Sequence, residues 1–145
     1  MLLPYRKKDL TPCVEIFVAA FGAPPLNYDF ITREKARRYL RDLASAPGFV
    51  GYVYEAEGEL VGLCFGKLDD YFHAPLFTVD ELAVLPGLHG KGLGKAIMSA
   101  VEEELAQKGV KEVALQTSTH IPAYRFYRKL GYSRVENTVS LTKPI

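Results

Sequence analysis

VLPGLHGKGLGKAI, residues 84–97, joins a strand-forming run that ends at Leu85 to an amphipathic helix through a turn with glycines at Gly90, Gly92 and Gly94. The helix is expected from about Gly92 to Lys108, with Ile97, Val101 and Leu105 on one face and Gly109 just past its end. A strand, a glycine turn and a helix in immediate succession make an anion site. First-turn amides have no intrahelical partner, the helix dipole is positive there, and glycine lets a bulky group approach the main chain. A diphosphate is the natural guest, set against the plainer reading of a tight strand-to-helix connection.

Two familiar phosphate-binding patterns do not fit. In a Walker loop, Gly94-Lys95 would need a glycine where His89 stands and Ser or Thr where Ala96 stands. A dinucleotide fingerprint needs GxGxxG and an acidic residue closing the next strand. Here the spacing is GxGxG and that strand ends in Gln116 and Thr117.

Upstream, Phe49–Ala56 and Glu59–Lys67 flank a tight turn at Glu57 and Gly58 and form a hairpin. A loop, DDYFHAP, leads to a third long strand, Leu76 to Leu85. Before the hairpin come a short strand (Leu2 to Arg6) and a buried helix carrying Val14, Ile16, Phe17, Val18 and Phe21, capped by Asp9 or Thr11. After the loop GAPPLNYDF, Thr32 caps a second helix with Ala36, Tyr39, Leu40 and Leu43 at helical spacing. Downstream, Val110–Thr117 reads as a strand, Pro122 to Leu130 as a short helix, and Tyr132–Val135 and Thr138–Thr142 as two last strands. The order β-α-α-β-β-β-α-β-α-β-β describes a mixed central sheet with flanking helices, one α/β domain over residues 1–145.

Composition agrees with one globular domain: 145 residues, 48% hydrophobic and 24% charged. With 18 Lys and Arg against 17 Asp and Glu, no global field steers the chain to nucleic acid or to an anionic membrane. The basic stretch REKARRYLR reads as a solvated helix face in which Glu34 pairs with Arg38. Cys13 and Cys64 lie in apolar stretches without a CxxC pair, so reduced core thiols are expected rather than a disulfide or zinc site. His73, His89 and His120 are too scattered for metal ligands. The N-terminal apolar run is too short for a signal peptide and no stretch could span a bilayer, so a cytoplasmic location is the default expectation.

At the glycine turn the sequence resembles the GNAT (Gcn5-related N-acetyltransferase) family, whose (R/Q)xxGx(G/A) motif is matched by His89, Gly92 and Gly94 after Val84 and Pro86. His89 stands where the family has Arg or Gln, a residue that acts largely through its backbone N–H. A second stretch, HIPAYRFYRKLGY (residues 120–132), resembles the family's NxxAxxFYxKxGF segment through Ala123, Phe126, Tyr127, Lys129, Gly131 and Tyr132, with His120 in place of Asn. The resemblance covers nearly the whole chain. It implies a GNAT-like fold, acetyl-CoA as cosubstrate and transfer of acetyl to an amine. It also implies a coenzyme site made by Leu82, Ala83 and Val84, by His89, Gly90, Lys91, Gly92, Leu93, Gly94 and Lys95, and by His120 and Ala123.

By spacing alone, Ala123, Tyr127 and Leu130 share one helix face, so Tyr127 points inward. Without context it reads as an aromatic core residue. The resemblance implies that it lies near the thioester sulfur and protonates the departing thiolate; a phenol pKa of about 10 keeps the proton available at neutral pH. The acceptor must also lose a proton, which for an alkylammonium at pH 7 costs roughly 4–5 kcal/mol. Asp80 and Glu81, within VDELAV, are acids where strand interiors disfavour them, so one should face a pocket. Alternation sends them to opposite faces unless a bulge intervenes. Glu81 is the preferred base, directly or through water, with Asp80 as ammonium anchor; an exposed face or a structural ion pair is the alternative.

The acceptor is the least legible part. The resemblance implies that it is bound by the first two helices, their connecting loop and the loop before the long third strand, where Tyr28, Asp70, Tyr71 and His73 are candidates. Acids and aromatics suit a cationic small-molecule amine, ahead of a peptide lysine or N-terminus. A non-catalytic acetyl-CoA sensor and a nucleic-acid module using Arg37, Arg38 and Arg41 are the remaining alternatives. The last strand is a candidate homodimer contact by the same resemblance.

Overall fold

The computed structural model describes residues 1–70, 74–88 and 90–145. Five strands form one sheet in the order β1 (Leu2–Pro4), β2 (Phe49–Ala56), β3 (Glu59–Asp69), β4 (Leu76–Val84) and β5 (Glu112–Leu115). The first three pairings are antiparallel and the last is parallel. Glu57 and Gly58 both have positive φ, +53° and +80°, as a two-residue hairpin turn matched to strand twist requires. Helices α1 (Leu10–Gly22) and α2 (Arg33–Ser45) precede the hairpin, α3 (Leu93–Gln107) crosses from β4 to β5, and α4 (Pro122–Lys129) follows β5. Thr32 caps α2 by accepting from the Lys35 N–H at 3.2 Å.

The sheet has an apolar cluster on each face, as period-two side-chain alternation in its strands dictates. Cys13, Val14, Ile16 and Phe17 of α1 and Ala36 and Leu40 of α2 cover Val53, Leu63, Phe65 and Ala83. On the other face, Ile97, Met98, Val101 and Leu105 of α3 and Tyr127 of α4 cover Tyr52, Cys64, Phe77 and Val79. Both cysteines are free and fully buried, and burial pushes each thiol up to about 12, so neither is a nucleophile at neutral pH. The arginines of α2 are engaged at the surface: Arg33 forms a two-pronged pair with Glu15 at 2.7 and 3.0 Å, Arg37 donates to Thr11, and Arg38 pairs with Glu34 at 3.6 Å.

Three expectations need correction. The two strands expected at Tyr132–Val135 and Thr138–Thr142 do not form, and Val135, Val139 and Leu141 are 67%, 76% and 89% exposed. Their alternation is a strand signal, but a strand exists only against a ladder partner, and β5 offers only four residues. β5 itself is shorter than Val110–Thr117, because its pairing with β4 runs only from Leu76↔Glu112 to Val79↔Leu115. β1 stops at Pro4, since the Arg6 N–H turns to the Asp9 carboxylate at 2.8 Å and opens a short 3-10 turn.

Candidate functional site

The arrangement of the acids follows from one irregularity in β4. Phe65 pairs with Glu81, but Gly66 pairs with Val79, so Asp80 is an extra, bulged residue. The bulge reverses the alternation. Phe77 and Val79 face the α3 side before it, Leu82 and Val84 face that side after it, and Ala83 packs toward α1 and α2. Glu81 thus reaches the α2 side, where its Oε1 accepts from the Tyr39 hydroxyl at 2.6 Å, while Asp80 is exposed. Burial pushes the Glu81 carboxyl above its ordinary value, the Tyr39 bond pulls it down and the Asp80 charge adds to the rise. Asp80 is also raised by burial, opposed by Lys67.

The parallel ladder between β4 and β5 ends at Val79↔Leu115, one residue before the bulge. Beyond it, Glu81, Leu82 and Ala83 lie past the last β5 partner. Here the sheet's β5-side edge opens.

Tyr127 approaches the same part of β4 from the other face. It is 8% exposed and packs in the cluster that holds Cys64, Val79 and Val84, with Ala123 and Leu130 against it. Its helix is fixed at both ends. Pro122 occupies the first turn, and the Gly131 and Tyr132 amides bond back to the Arg128 and Tyr127 carbonyls at 3.1 and 3.0 Å. Tyr132 then lays its ring against Tyr127 at 5.5 Å, the contact that accompanies such a helix end. Burial raises the Tyr127 phenol, with Cys64 and Glu81 adding to the rise, so it keeps its proton at neutral pH.

The glycine turn leads into α3 through Gly92, its N-cap residue, which is in the left-handed region at φ +74° and offers no side-chain cap. The first ladder bond of the helix is Ala96 N–H to the Gly92 carbonyl at 2.9 Å, so the amides before it precede the ladder. A Cβ at Gly90 or Gly92 would meet open space among the described residues. Gly94 instead faces the Phe126 ring, which would sit 3.1 Å from its Cβ and ties the turn to α4. Lys91 and Lys95 are exposed beside the turn. Two exposed lysines and the first-turn amides make this helix start a candidate phosphate site.

The sequence profile of the Acetyltransferase (GNAT) family matches residues 12–132. The chain belongs to that family. It is 36% identical to a mycothiol acetyltransferase of Saccharomonospora viridis over 91% of this chain and 45% of that protein. Against an aminoalkylphosphonate N-acetyltransferase of Salmonella typhimurium the identity is 27% over 92% and 94%. The chain thus spans less than half the length of the mycothiol acetyltransferases it matches, 36% and 45%. Its fold is that of solved GNAT structures. An aminoglycoside acetyltransferase from a soil metagenomic sample superposes with TM-score 0.74 at 22% identity, over 100% of this chain and 95% of that one. An acetyltransferase of Trypanosoma brucei does so with TM-score 0.69 at 24% identity, over 99% of each.

His89, Tyr71 and His73 lie outside the described residues. His120 is exposed, its N–H donating to the Ser118 hydroxyl, and it lines an open cleft of about 510 Å³ with Ile121, Arg125, Phe126 and Lys129. Asp70 follows the end of β3, where Asp69 pairs with Leu76. At strand rise that is about 15 Å from Glu81, so the structure does not bring these two acids together. Tyr28 stacks on Phe21 at 6.3 Å, Phe21 touches Phe17 and Phe17 touches Tyr39, giving a row of rings from the α1–α2 connection to Glu81.

Two features of the site were missed from the sequence. In the sequence Tyr39 is one apolar helix position among several, and the 42 residues separating it from Glu81 hide their contact from any local pattern. Arg125, which with the motif residue Lys129 makes the cleft cationic, sits four residues before it on α4, a spacing that puts both on one helix face.

Proposed function

We propose that this GNAT chain transfers acetyl from acetyl-CoA to a small primary amine by direct attack. The supporting observation is that the β4–β5 ladder ends just where Glu81 and Tyr127 approach β4 from opposite faces. The glycine turn suits the coenzyme diphosphate, because among the described residues no side chain caps its helix start and nothing crowds Gly90 or Gly92. His120, Arg125 and Lys129 extend that anionic ligand's path. Glu81 takes a proton from the acceptor ammonium, directly or through water, freeing the nitrogen lone pair. Main-chain N–H groups near Leu82 and Ala83 hold the thioester oxygen while the C–N bond forms. As the C–S bond breaks, Tyr127 gives its proton to the departing sulfur. Asp80 and the row of rings ending at Tyr28 suit a cationic acceptor. The relatives named for mycothiol, aminoalkylphosphonate and aminoglycoside substrates support a small-molecule acceptor.

Thermal unfolding tests the coenzyme site first. Acetyl-CoA at a hundred times its Kd adds about 2.7 kcal/mol, a Tm rise on the order of 5–10 °C for a chain of this size, whereas ATP and NAD leave Tm unchanged. No rise at saturating acetyl-CoA overturns the reading. Tyr127→Phe is expected to lower kcat and kcat/KM together by about 100-fold in steady-state assays of CoA release, the mark of an interaction made only in the transition state. A full-rate variant would remove Tyr127 from the mechanism.

A further inference from the structure

Tyr39 lies on the face of α2 toward the sheet, with its ring against Phe17 at a centroid distance of 5.8 Å and 40% of the residue exposed. From that base its hydroxyl donates to Glu81 Oε1 over 2.6 Å, a length typical of an O–H donor to an ionised carboxylate. Among the described residues, the groups acting on Glu81 come from two elements: Tyr39 on α2 and its neighbour Asp80 on β4. Tyr127 on α4 responds to the Glu81 charge, and Cys64 on β3 acts on Tyr127; Lys67 on β3 acts on Asp80. Burial and Asp80 both favour the protonated carboxyl, and Tyr39 is the influence that favours the carboxylate. A protonated carboxyl has no base to offer.

We propose that Tyr39 is a positioning residue for acetyl transfer: by binding Oε1 it holds the Glu81 carboxylate ionised and turns Oε2 toward the acceptor nitrogen. This rests on the reading of Glu81 as the base. Tyr39 does not touch the reacting atoms; it acts through Glu81. A phenol fits this place better than an ammonium or guanidinium. A full positive charge beside Glu81 would hold the carboxylate more firmly, but it would repel the incoming ammonium and weaken the carboxylate as a base. The neutral donor avoids both effects.

The test is Tyr39→Phe, which keeps the ring on Phe17 and removes only the hydroxyl. In the whole protein carrying 13C-labelled glutamate, the Glu81 signal is identified by its loss in Glu81→Gln and followed with pH. It is expected to titrate about one unit higher in the Phe variant, a tenfold rise in proton affinity equal to about 1.4 kcal/mol. The acid limb of kcat/KM moves by the same amount. It is measured with acetyl-CoA and the fastest acceptor among phenethylamine, glucosamine and 2-aminoethylphosphonate, and the KM for acetyl-CoA is unchanged. Tyr39→Leu gives the same shift with a lower Tm, separating the hydroxyl from the ring. An unmoved titration and an unmoved acid limb in an active Phe variant overturn the proposal while leaving acetyl transfer intact. If the wild-type chain neither gains Tm with acetyl-CoA nor turns over an amine, the acetyl-transfer reading fails and the positioning role with it, while a titration that still moves leaves only the Tyr39–Glu81 hydrogen bond standing.

Discussion

Glu81→Gln is expected to lower kcat/KM for acetyl transfer by 10²- to 10⁴-fold, the usual range for loss of a positioned general base. Glutamine has nearly the shape of glutamate and can still accept from Tyr39 through its carbonyl oxygen, so the bulge and the α2 contact survive. What is lost is proton affinity. The wild-type profile should fall as pH drops through the raised Glu81 pKa, because protonation removes the base; in the variant that limb disappears. Stability should move the other way. Burial places the folded pKa above the unfolded value of about 4.3. The Glu81 contribution is therefore complete below the unfolded pKa and is lost as pH rises through the folded one. Glutamine stays neutral throughout, so the variant gains on the wild type between acid and neutral pH. Steady-state rates and Tm measured across pH check both. An inactive variant that also unfolds early would show that Glu81 holds structure rather than moving a proton.

Gly66→Ala should have the opposite signature, a loss of stability that carries activity down with it. Gly66 pairs with Val79 just before the bulge, and a Cβ there would run into the Phe77 ring and the Thr78 carbonyl. The ring is fully buried and the carbonyl is main chain, so neither can step aside without moving β4. Overpacking of this kind costs about 1–3 kcal/mol, or a Tm fall on the order of 2–12 °C in a domain of this size. Because the displaced strand carries the bulge that sends Glu81 toward Tyr39, kcat/KM should fall even at temperatures where the variant is folded. Thermal unfolding and rates at low temperature check this, and a variant with wild-type Tm would mean that β4 is far more pliable than its packing implies.

Much of the frame was legible because its causes are local. The Glu57-Gly58 turn, the Thr32 cap and the Gly92 start of α3 are each set by a few adjacent residues, and each stands where the sequence puts it. The same locality made Tyr127 readable as inward-facing, since Ala123 and Leu130 share its helix face. It also misled at the C-terminal end. Val135, Val139 and Leu141 alternate as a strand does, but alternation describes a face and not the partner strand that would cover it.

The sequence by itself determined that a glycine turn opening a helix follows a strand bearing two acids, because backbone conformation at glycine and the period of side chains are properties of neighbours in the chain. Alternation left Asp80 and Glu81 on opposite faces or rearranged by a bulge. Tertiary structure decided which. The cross-strand register between Phe65 and Gly66 displaces Asp80, the end of the β4–β5 ladder opens the sheet beside Glu81, and α2 brings Tyr39 to it. Each of these depends on where a second segment stops or lands, and the free energy that fixes it comes from packing and hydrogen bonds between residues far apart in the chain.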